Sequence, residues 1–133
     1  MNPATAEWLA KAEADFGTMT REAQVKENAN YDDVCFHAQQ YAEKYLKARL
    51  CEAGTAFPRT HDLTALLALV TAAEPGWQAH EEDLAYLTDF GVFFRYPGES
   101  ADRDMAEEAQ RRCRSFRDTA RESFGLCQAD EAP

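Results

Sequence analysis

Nowhere does the sequence run to roughly 18 consecutive apolar residues, so it offers no segment for a membrane-crossing helix. The opening Met1-Asn2-Pro3-Ala4-Thr5 lacks a cationic stretch followed by an apolar one, so no secretory signal is expected. Excess positive charge is missing too. Fourteen Lys and Arg face 24 Asp and Glu, a formal net charge of −10, which argues against general nucleic-acid binding by phosphate neutralisation. The four cysteines, Cys35, Cys51, Cys113 and Cys127, form no C-x-x-C pair and are expected to be reduced thiols in a cytoplasmic protein. No glycine-rich phosphate loop, Ser/His/Asp set or metal-ligand spacing is present. Neither a metal nor a cofactor is expected. The acidic balance favours a protein partner with a basic surface, or a small ligand in a local pocket.

What the sequence does contain is helical periodicity, punctuated by sparse clusters of Gly, Pro and Asn. With 45% hydrophobic residues in 133, one domain with a real core is expected. Five helices are predicted, over about 4–26, 31–53, 60–70, 77–95 and 100–124. Asn30 is the expected cap of the second and Ser100 of the fifth. Thr60 or His61 should open the third. Short connections between amphipathic helices imply an all-α, antiparallel up-and-down bundle over residues 1–127, with a disordered tail at 128–133.

The second helix carries the most information. At 100° per residue, Val34, Cys35, Phe36, Ala38, Ala42, Tyr45, Leu46 and Leu50 fill an arc of roughly 200°, wide enough to touch more than one neighbour. Gln39 and Glu43 fall inside that arc, so a buried carboxylate in search of a partner is expected. Arg95 or His61 would supply it. The remaining narrow arc holds His37, Gln40, Lys44 and Lys47, a row suited to an anion. On the fourth helix, Leu84, Leu87, Gly91 and Arg95 share an inward stripe, and Gly91 there implies close packing. Tyr86 and Phe93 lie opposite Leu84 and suggest a dimer interface. The fifth helix places Met105, Ala109, Cys113, Phe116 and Ala120 on one face. Its six arginines are balanced by six acids, so a salt-bridged solvent face is expected and RNA binding is not favoured.

Three stretches, in order, resemble one family. Phe36-His37-Ala38-Gln39-Gln40-Tyr41-Ala42-Glu43-Lys44-Tyr45-Leu46-Lys47-Ala48 is similar to the second-helix signature of HEPN domains (higher eukaryotes and prokaryotes nucleotide-binding). Thr60-His61-Asp62-Leu63 resembles the family's His-Asp-Leu at the next helix start, and Arg95-Tyr96-Pro97 its Arg-Tyr-Pro. The resemblance implies an antiparallel bundle that commonly dimerises and is often paired with a minimal nucleotidyltransferase, in some cases as toxin and antitoxin. Many such proteins are metal-independent ribonucleases using Arg-x(4–6)-His. Here the chain departs: the positions after Arg95 where the histidine belongs are Ser100, Ala101 and Asp102. The usual acid–base route to RNA cleavage therefore lacks its proton carrier. The expectation is a homodimeric module for a nucleotidyltransferase partner or a nucleotide, with His37, Gln40, Glu43, Lys44, Lys47, His61, Arg95 and Tyr96 as candidate ligand residues and none catalytic. A ribonuclease with a degenerate site, in which Tyr96 or His61 replaces the missing histidine, is the alternative.

Overall fold

The computed structural model describes residues 1–126, except for the side chain of Arg95. Cys127 and the expected tail at 128–133 lie outside the described residues. Five α-helices, α1 (Pro3–Ala23), α2 (Tyr31–Ala53), α3 (Leu63–Val70), α4 (Glu81–Thr88) and α5 (Arg103–Ser123), enclose one core, and no strand occurs among the described residues. No helix among them is long and apolar enough to cross a membrane.

The sequence reading of α2 holds at both ends. Asn30 accepts from the Asp33 amide, and Gly54 closes the helix at φ 71°, a left-handed conformation that costs glycine little. The buried arc is wider than expected, since Tyr41 and Ala48 are fully buried too. Contacts at both ends make α1 antiparallel to α2: Asn2 meets Glu52 while Glu22 meets Asn30. Helix α5 runs antiparallel to α4, with His80 beside Thr119 and Tyr86 beside Met105.

Four boundaries differ from the sequence reading. Helix α1 stops at Ala23 rather than residue 26. Helix α3 begins at Leu63, because Asp62 rather than Thr60 or His61 accepts the free amides of Thr64 and Ala65. Helix α5 is capped by Asp102, not Ser100, through a 2.8 Å bond from the Met105 amide. The expected fourth helix is divided into a 3-10 turn at Pro75–His80, then α4, then 3-10 turns at Asp89–Gly91 and Phe93–Arg95. Thr88 turns its hydroxyl back onto the Leu84 carbonyl, and Gly91 follows within three residues. Both weaken the helix at the point where it crosses α2.

The arginines of α5 also depart from the expected solvent face. Arg117 and Arg121 are 1% and 4% exposed. Both guanidinium groups reach Glu13 of α1, at 2.7 and 3.4 Å, while Arg117 lies 4.0 Å from the Phe16 ring centroid. Arg111 and Arg112 do form the surface pairs anticipated, with Glu108 and Asp83. Tyr86 belongs to the fold of the single chain: its ring packs edge-on against Phe90 and beneath Arg112. Phe93, by contrast, stays 44% exposed.

Candidate functional site

Two buried carboxylates lie along the edges of the polar strip of α2, Glu43 of α2 itself and Asp15 of α1, and each holds an imidazole. On the first edge, Glu43 is 5% exposed and fully occupied by neighbours. Its Oε1 accepts from Gln39 Nε2 (3.0 Å) and lies 2.7 Å from His61 Nδ1, and its Oε2 accepts from Lys47 Nζ (3.0 Å). Burial alone would raise the Glu43 carboxyl. Hydrogen bonds from Gln39, His61 and Lys47 outweigh it and hold the group below the usual carboxylate range. The ionised carboxylate orients His61 with Nδ1 toward Glu43, while its imidazole remains 63% exposed. Lys47 is further enclosed by Trp8 and Phe57, 5.8 and 6.0 Å from their ring centroids.

Gln39 fixes this cluster to the rest of the fold. It reaches the His61 carbonyl and accepts from Gln40 Nε2, and a Cβ placed on Gly91 would stand 3.0 Å from its Cδ. The close packing expected at Gly91 is thus against Gln39. Gly91→Ala should cost about 1–3 kcal/mol, because the fully bonded glutamine has nowhere to retreat; thermal unfolding of the variant checks it.

On the second edge, Asp15 of α1 is 8% exposed and binds His37 Nδ1 (2.7 Å) and Lys44 Nζ (2.5 Å). The cationic row of α2 is therefore split. His37 and Lys44 turn to Asp15, Lys47 turns to Glu43, and Gln40 leans on Gln39. His37 also borders a concavity of about 300 Å³ together with Asp32, Asp33, Phe36, Phe90 and Phe94. Phe94 immediately precedes Arg95, whose side chain, with the expected Glu43–Arg95 pair, lies outside the described residues. Of the two partners considered for Glu43, His61 is in place. It does not cap α3. Tyr96 is 67% exposed and, with Val92 and Phe93, forms an apolar strip following Gly91.

The sites where the family's histidine would sit are occupied structurally: the Ala101 amide donates to Asp32 (2.7 Å) and Asp102 caps α5. Cys35 and Cys113 are buried and unbridged, and burial, with the Asp32 and Asp102 carboxylates, pushes the Cys35 thiol up to about 12. Among the described residues no group of His, Cys, Asp and Glu could hold a metal ion.

An all-helical bundle whose second helix turns its Gln and Glu inward onto a His-Asp-Leu turn defines the class. A family model of the HEPN domain matches residues 5–123, spanning α1 to α5, and the chain belongs to the HEPN domain family. No curated protein matches the chain, and no solved structure does.

Proposed function

We propose that this chain is a cytoplasmic binding module, a HEPN homodimer that docks a minimal nucleotidyltransferase as part of a toxin–antitoxin-like pair. The observation that carries the reading is the exposure of Val92, Phe93 and Tyr96 close together in sequence after Gly91. Apolar groups left in water near one another mark a surface for a partner. The signature polar residues, meanwhile, are largely used in holding the bundle together. A nucleotide in this reading meets His61 and Tyr96, the candidates left most exposed (63% and 67%), because the ammonium groups of Lys44 and Lys47 are already held by Asp15 and Glu43.

Light scattering tests the dimer: the expected mass is twice the 15.0 kDa of the chain. Phe93→Glu should halve it while leaving the helical circular-dichroism spectrum of the folded chain unchanged, since the ring is 44% exposed in the single chain. A monomeric wild type contradicts the reading. Co-expression with the product of its neighbouring gene, expected to be a minimal nucleotidyltransferase, tests the partner by copurification.

A second reading, a ribonuclease, is favoured by one observation. Asp15 orients His37, and His37 borders the concavity beside Phe94, adjacent to Arg95. A carboxylate-held imidazole in that place could move a proton that positions 100–102 cannot. The carboxylates of Asp32 and Asp33 in the same concavity weigh against a phosphodiester there.

A further inference from the structure

Away from every signature motif, the connection between α1 and α2 meets the first turns of α5 around a concavity of about 340 Å³. We propose that it binds a small organic oxyanion, a carboxylate or phosphate monoester whose remaining polar atoms are planar amide- or base-like groups. The inference does not rest on the binding-module reading.

The site is built from Gln24, Lys26, Tyr31, Arg103, Glu107 and Gln110 over the buried Ala106. Its two cations differ from most others in the chain. Lys44, Lys47, Arg49, Arg112 and Arg117 each hold a carboxylate. No carboxylate among the described residues pairs with Lys26 or Arg103. Instead the exposed Arg103 donates from Nε to the Tyr31 hydroxyl (3.2 Å), which leaves its two terminal nitrogens as a parallel pair of donors. That fork matches the two oxygens of a carboxylate or phosphate.

The backbone below Lys26 is held in place. The Val25 amide bonds the Glu22 carbonyl, the Asn30 amide bonds the Glu22 carboxylate at 2.8 Å, and Asn28 takes the left-handed conformation that lets the turn close. Gln24 and Gln110 bring amide donors and acceptors with no side-chain partner among the described residues, and Glu107 brings an acceptor. An anion with planar N–H donors satisfies all of them. The lining sets Lys26 and Arg103 against Glu107, and Asp104 also acts on Arg103, so two cations face two acids here in a chain of −10. The volume lies at the lower end of the range for small-molecule sites, roughly 300–1,000 Å³.

The test titrates the full chain separately with inorganic phosphate and with succinate, following backbone amide resonances. Saturable shifts confined to residues 24–31 and 103–110, in the millimolar range, are expected for at least one. Phosphate alone assigns a phosphate ester, succinate alone a carboxylate, and either supports the site. Arg103→Ala should weaken binding about tenfold, the scale of one charge-assisted hydrogen bond. Tyr31→Phe should weaken it about two- to threefold by releasing the guanidinium, and Glu107→Gln should tighten it by a similar factor by removing a repelling charge. These side chains are exposed or half-buried at the rim, so the folded spectrum should persist in each variant. No saturable shift with either anion overturns the proposal, as does saturation unchanged by Arg103→Ala.

Discussion

Replacing Arg117 by Ala should lower stability by about 3–5 kcal/mol, or roughly 10–20 °C in unfolding midpoint. The guanidinium is 1% exposed, bonds Glu13 at 2.7 Å and lies over Phe16, so its removal opens a void and takes a partner from a half-buried carboxylate. Arg117→Lys should recover less than half of the loss, because an ammonium cannot both cover the ring and reach Glu13 with a planar fork. On a solvated salt-bridged face, as the six-against-six charge balance of this helix suggests, the same change would cost under about 1 kcal/mol. Urea unfolding of the two variants distinguishes these outcomes.

Glu43→Gln should cost about 2 kcal/mol at neutral pH, less than for a wholly buried ion pair because the His61 imidazole stays in water. The amide keeps the shape of the carboxylate, yet it cannot accept from Gln39, His61 and Lys47 together. The pH dependence has a definite sign. A carboxyl held below its ordinary value of 4.5 contributes stability that is full above that value and is lost as pH falls through the folded-state value. The gap between wild type and variant should therefore narrow as pH falls below 4.5. A gap that stayed unchanged however far below 4.5 the pH was taken would mean that Glu43 is not ionised among these donors.

Much of this arrangement was legible because helical spacing fixes which residues share a face. The inward placement of Gln39 and Glu43 and the close packing at Gly91 follow from it, whereas His61 was one of two candidates for the partner of Glu43. Spacing does not say which residue on another helix meets a given one. Glu13 and Asp15 were missed for that reason, although a signal was there. At 100° per residue Asp15 lies about 40° from Met19, and Glu13 about 40° from Leu9, at the two edges of the apolar stripe of α1. Carboxylates at such edges are well placed to meet cations of the neighbouring helix, and there Lys44 and His37 meet Asp15 while Arg117 meets Glu13. The row His37, Gln40, Lys44 and Lys47 of α2 divides among Asp15, Gln39 and Glu43, which one helix viewed alone does not reveal. The break after α4 was equally invisible, since local periodicity continues through Gly91 and it is the crossing over Gln39 that goes with the change of backbone.

The claim that the domain works by binding is tested most directly by incubating the purified wild type with labelled RNA in a metal chelator. At high protein concentration the account predicts intact RNA, for wild type and for His37→Ala alike. Metal-independent cleavage by the wild type that disappears in His37→Ala and in Arg95→Ala would contradict it and would make the Asp15–His37 pair part of a ribonuclease centre.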